Sequence, residues 1–241
     1  MPPEPRAICR FAAEPPQEDL AQGRWAQLLR AEFLAACLRI DVDASDLGEV
    51  GQLDFHPDRT WSSRTYVPIV ARTDTGGEVF GFVSFGASDP DTDDPPEDFD
   101  AWADFTDETA DDHPEWRLDL NQEVVGHWRG DGERVAAMTL VWGRRLTAPG
   151  DVVTGELTGV TVDQCRLMQA RFTLLAPDGY GDEYLEVALW DSEGRELARE
   201  SLYEDDGEDE DADELSHEGG SGGDGGRRPD SDGGRRSGTP A

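Results

Sequence analysis

Asp54, His56 and Asp58 alternate with Phe55 and Pro57. On a regular strand that spacing would turn two carboxylates and an imidazole to one side, as a metal site needs. Pro57 argues against the regular strand, because it gives no amide hydrogen to a ladder. No His-x-x-x-His or Cys-x-x-Cys occurs elsewhere, and the other histidines (His113, His127, His217) form no ligand spacing. Nucleophile signatures are equally thin. Gly81-Phe82-Val83-Ser84-Phe85-Gly86 is one residue too long for a nucleophile elbow. Cys165 with a distant histidine could form a dyad, but no spacing singles one out. With 54 Asp and Glu, a pair of carboxylates placed for glycoside hydrolysis has no diagnostic value.

All 21 basic residues are arginine. Without lysine there is no P-loop amine for β/γ-phosphates, no kinase strand lysine and no Schiff base. Asn occurs once (Asn121) and Ile three times, beside 27 Gly and 15 Pro, which points to a GC-rich genome. His56-Pro57-Asp58 resembles the J-domain tripeptide over three residues only. Asp46, Glu49 and Asp54 stand where such a module carries a basic helix. Arg129-Gly130-Asp131 reads as a hairpin turn. No catalytic, cofactor-binding or metal-ligating residue is expected, and no cofactor.

Charge carries more information. The net charge is -33, and it is uneven. Residues 89–115 hold 13 acids and no arginine; residues 204–241 hold 13 acids and four arginines. Such a field repels nucleic-acid phosphate and anionic membranes and attracts basic partners at salt-dependent rates. Adaptation to a salty cytoplasm or simple solubility would also use it. Within 97–108, Phe99, Trp102 and Phe105 recur every third residue among Asp98, Asp100 and Asp104. Coiled into a turn or two of helix, they would set aromatics on one side and carboxylates around them. Acidic–aromatic segments of that kind dock in apolar grooves with basic rims. Those six residues are the expected partner-binding set. The alternative is that Trp102 and its neighbours pin a long insertion to the protein's own sheet.

The elements that must position them divide as follows. Residues 1–18 are Pro-rich and read as a flexible arm. From about Asp19 a helix is expected, with Trp25, Leu29, Phe33, Ala36, Cys37 and Ile40 on one stripe. Beyond Gln52 the pattern is strands. Thr65–Thr73 and Glu78–Phe85 flank Asp74-Thr75-Gly76-Gly77, and Arg117–Arg129 and Glu133–Leu146 flank Gly130-Asp131-Gly132. Val152–Val162, Arg166–Ala176, Glu183–Trp190 and Arg195–Leu202 follow. Val135–Trp142 is apolar on both faces, as a central strand is; Leu185, Val187 and Leu189 form one buried face. The expected fold is α+β: an N-terminal amphipathic helix, then a largely antiparallel sheet or sandwich. One domain spans 19–203 with an acidic insertion at 88–116. The Gly-rich acidic tail, 204–241, buries too little to order itself.

Three far-separated cysteines and an N-terminus lacking a basic or apolar run fit a cytoplasmic protein with no export signal. The reading is a non-enzymatic acidic protein that binds a basic protein partner, of inhibitor, immunity or nucleic-acid-mimic type. It binds neither nucleic acid nor membrane. A carboxylate- and histidine-dependent hydrolase, or a virion or structural accessory protein, is the alternative. A deep pocket holding His56 or His127 beside carboxylates would favour the hydrolase.

Overall fold

In a computed structural model of the chain, the described residues are 20–86, 96, 98–129, 135–147, 149–179 and 184–203. The Pro-rich arm, most of 87–97, the 130–134 turn and the acidic tail lie outside them. The described part is mostly antiparallel β-sheet.

Helix α1 (Gly23–Cys37) starts after Gln22, whose side chain makes no capping bond, and buries Leu29, Phe33, Ala36 and Cys37. A one-turn helix, α2 (Ala44–Leu47), leads to the first sheet. That sheet holds β1 (Asp54–Phe55), β3 (Arg64–Arg72), β4 (Glu78–Gly86) and β5 (Asp100–Thr106) in order, with β2 (Arg59–Trp61) also paired to β3. The β3–β4 turn is where Asp74-Thr75-Gly76-Gly77 predicts it, with Gly76 at φ 96°. A second sheet has order β10 (Arg171–Asp178), β7 (Val135–Arg145), β6 (Leu118–Arg129). A third has order β12 (Glu196–Ser201), β11 (Leu185–Trp190), β8 (Val152–Leu157), β9 (Val160–Arg166).

Strand alternation explains how these sheets stack. On β3 and β4, Val67, Ile69, Ala71, Val79, Val83 and Phe85 pack with α1. The opposite face presents Tyr66, Phe80 and Phe82 to Met138, Leu140 and Trp142 of β7. Val141 of β7, with Phe172 and Leu174 of β10, turns the other way, onto Leu185, Val187 and Leu189 of β11. The second sheet is thus covered on both faces, and β7 is its central strand, as its two-sided apolar run predicts.

Two strand assignments change. Val152–Val162 is not one strand: Thr158 (φ 54°) and Gly159 (φ 69°) turn it into the β8–β9 hairpin. Both central residues have positive φ, the geometry of a primed two-residue turn. Arg166–Ala176 is likewise broken, by Gln169 (φ 52°) and Ala170 (φ 69°) before β10. β6 carries a bulge at Val124/Gly126, where a Cβ on Gly126 would lie 2.5 Å from the Trp61 ring. Only glycine lets Trp61 sit there.

One buried arginine joins all three sheets. Arg59, 1% exposed, reaches from β2 to both oxygens of Asp163 on β9 (2.6 Å each). It also donates to the carbonyl oxygens of Thr173 (3.1 Å) and Gln164 (2.9 Å). Asp163 accepts a further bond from the Leu175 amide at 2.8 Å, so both of its carboxylate oxygens are held by buried donors.

Candidate functional site

The segment expected to coil is a strand. In β5 the aromatics do not share a side. Phe99 and Phe105 pack with Ala101 and Ala103 against the α1 core, while Trp102 points into the opposite layer. A spacing of three residues puts side chains together on a helix and apart on a strand. Phe99 is fixed by Trp25 and Phe85, with ring centroids at 6.0 and 5.6 Å. Trp102, half-buried, stacks on Phe82 at 5.9 Å and meets Phe80 edge-on at 5.9 Å.

The carboxylates have separate places. Asp98 pairs with Arg64 at 2.8 Å. Asp100 and Asp104 stay exposed, on the Trp102 side of β5 by alternation. Each accepts a hydrogen bond from the next residue's amide, Ala101 at 3.0 Å and Phe105 at 2.8 Å. Arg39 donates to the Ala101 carbonyl at 2.6 Å. β5 ends its sheet among the described strands, so these contacts occupy main-chain groups that another strand would use. Across the layer lies Glu123 of β6, whose carboxyl is held above the usual range by burial first and then by Asp104. Among the described residues no arginine pairs with Asp100, Asp104 or Glu123.

At another end of the same layer, register gathers a second group. Asp119, Arg144 and Arg171 are successive cross-strand partners on β6, β7 and β10. Opposite them stand Arg72 and Glu78, partners on β3 and β4, with Asp54 of β1. Arg171 donates to Asp54 (2.5 Å) and to the Phe55 carbonyl (3.1 Å); Arg144 donates to Asp119 at 2.9 Å. Arg72 is shared between Glu78 at 3.5 Å and Asp111 at 3.1 Å. These six residues, with His56 and Asn121, line a cleft of about 40 Å³.

Two titrating groups in it have exchanged their ordinary order. Burial pushes His56 down to about 3, and its ring lies against the carbonyls of Phe172 (3.3 Å from Nδ1) and Gly143. Burial, then Asp119, pushes Glu78 up to about 7 against the pull of Arg72 and Arg144. Near neutrality the imidazole is unprotonated while the carboxyl is still partly protonated.

Asp54, His56 and Asp58 do not form a metal site; no cluster of three His, Cys, Asp or Glu able to hold an ion occurs among the described residues. Cys37 is buried with its thiol pushed up to about 11, and burial raises Cys165 too, so neither is a ready nucleophile. His113 bonds Glu115 at 3.1 Å and stacks on Trp116. Ser84 accepts from Arg64 at 2.9 Å. Sequence reading missed Glu78, Arg144 and Glu123. The one available signal was that Arg72 and Glu78 flank the Asp74–Gly77 turn, which reads as ordinary solvated turn chemistry. Comparison with models of protein families, with curated proteins and with solved structures finds no match to this chain.

Proposed function

We propose that the protein is a non-enzymatic acidic interaction protein that binds a basic protein partner, as an inhibitor, immunity or nucleic-acid-mimic protein does. The observation that carries this reading is the β5 margin. A half-buried indole, Trp102, sits beside Asp100, Asp104 and Glu123, with no pairing arginine among the described residues. Like charges held close in a partly desolvated place are relieved by an incoming cation, and a guanidinium also gains from the tryptophan face. The six-residue anchor narrows accordingly. Trp102, Asp100 and Asp104 remain in it and Glu123 joins; Phe99 and Phe105 support it from the α1 core.

The overall charge of -33 would speed encounter with such a partner. We read the fold as α+β, with α1 an amphipathic helix on the first sheet. We place the protein in the cytoplasm; among the described residues no helix is long and apolar enough to cross a membrane.

The hydrolase alternative gains one point, because the cleft does hold His56 beside Asp54, Glu78 and Asp119. Size weighs against it: about 40 Å³ falls well short of the roughly 300–1,000 Å³ of substrate pockets. His56 is also spent on backbone carbonyls. Affinity capture at low salt tests the reading. A basic protein retained by the full chain and lost on Asp100→Asn/Asp104→Asn/Glu123→Gln supports it; equal retention by both overturns it.

A further inference from the structure

Both ring contacts of Trp102 come from one side. Phe82, its cross-strand partner on β4, covers one face of the indole, with ring planes 28° apart and centroids at 5.9 Å. Phe80, also of β4, meets it edge-on, and among the described residues no other ring touches it. β5 is the last described strand of its sheet, so the second face of the indole turns to the open edge. By alternation Asp100 and Asp104 flank it along the strand, on the same face of the sheet. Across the layer stands Glu123 of β6, close enough to feel the charge of Asp104.

These carboxylates have oxygens to spare. Asp100 and Asp104 each accept a main-chain amide at Oδ1, and Oδ2 of each has no partner among the described residues. Two arginines approach the margin, and both are spent. Arg64 donates to the Ser84 hydroxyl, the Asp98 carboxylate and the Asp98 carbonyl. Arg39 donates to the carbonyls of Ala101 and Ala35. Counted together, four carboxylates (Asp98, Asp100, Asp104, Glu123) face two arginines (Arg39, Arg64), and with Glu123 protonated three still face two. The surplus is negative in either state. An aromatic face flanked by surplus carboxylates at a sheet edge fits a cation. A guanidinium fits better than an ammonium, being planar, more weakly hydrated, able to stack flat on an indole and richer in donors.

We propose that the edge-facing side of Trp102 seats one arginine side chain of the partner protein, stacked on the indole and donating to Asp104 and Glu123, in preference to lysine. This rests on the reading of β5 as the partner surface, and adds the identity of the partner residue that it takes. Asp100 contributes charge on the other flank of the ring.

Small peptides test the seat without the partner. Capped tripeptides of glycine with a central arginine or a central lysine carry equal charge. Each is titrated into the full chain at low salt, followed through the indole N–H resonances of its seven tryptophans. The Trp102 resonance, assigned with Trp102→Phe, is expected to shift most, and the buried Trp142 serves as an internal control. The arginine peptide should bind roughly threefold tighter than the lysine peptide. Asp104→Asn/Glu123→Gln should weaken it by roughly threefold, the weight of an exposed ion pair. That selectivity at Trp102 supports the seat whether or not a basic protein is captured from cells. Equal affinity for the two peptides, or shifts shared by tryptophans remote from β5, would show attraction to the overall charge. Either result overturns the seat, even where a basic protein is captured and the partner reading stands.

Discussion

Glu78 and His56 pull stability in opposite directions with pH. Glu78 titrates near 7 in the fold and near 4.5 when exposed. The folded state therefore holds the extra proton between those values, and stability falls as pH rises through them. His56 goes from 6.5 when exposed to about 3 in the fold, so stability rises with pH across that window. Between about 4.5 and 6.5 the two slopes cancel, which leaves a plateau from this pair. Glu78→Gln should expose the His56 slope alone, and at pH 8 should stabilise the protein by about 3 kcal/mol, at 1.36 kcal/mol per pKa unit. Denaturant unfolding of both proteins from pH 4 to 8 checks this; an unchanged plateau in the variant would refute it. Arg59 makes a second prediction. Removing one member of a buried ion pair strands the other, so Arg59→Met should cost about 3–5 kcal/mol in the same assay. Neither Glu78 nor Arg59 was legible beforehand. In a chain with 54 acids and 21 arginines, composition hides which charges are buried, and pairings such as Arg59–Asp163 link residues 104 apart.

Elements were easier to read where turn chemistry is local. Asp74-Thr75-Gly76-Gly77 and the two-sided run of β7 were both visible, because each depends on neighbouring residues. The β8–β9 turn was missed because Thr158 adopts positive φ without a warning glycine at its own position. β5 was misjudged because its aromatics recur every third residue, a spacing that suits a helix. Pairing with β4 decided the matter, and no local pattern reports that. The strand also shows why its carboxylates matter twice. Asp100 and Asp104 cap their own strand's amides, so Asp100→Ala/Asp104→Ala should bare the edge and promote self-association. Asp100→Asn/Asp104→Asn keeps the accepting oxygens and should stay monodisperse. Sedimentation velocity distinguishes them, and equal behaviour of the two variants would remove the edge-capping role.

For the whole molecule, charge is the dominant property. Many described arginines are already paired, among them Arg59, Arg64, Arg144, Arg171 and Arg199, so the surplus acids repel one another. The Debye length shrinks from about 30 Å at 0.01 M salt to about 3 Å at 1 M, and the melting temperature should rise across that range. A flat profile would mean that the acids are locally balanced. The same surplus complicates any binding test, because a basic protein could be drawn to the field as a whole. Trp102→Ala is a poor probe, since it also removes packing against Phe82 and Phe80.

The direct test of a partner site at β5 compares two triple neutralisations that change net charge equally. The basic protein captured at low salt is purified and titrated against the wild type, against Asp100→Asn/Asp104→Asn/Glu123→Gln, and against Asp205→Asn/Asp206→Asn/Glu208→Gln. Binding through the β5 margin predicts at least a tenfold loss for the first triple, about 1.4 kcal/mol, and little change for the second. Equal losses for the two would show attraction to the overall charge alone, and would contradict the site.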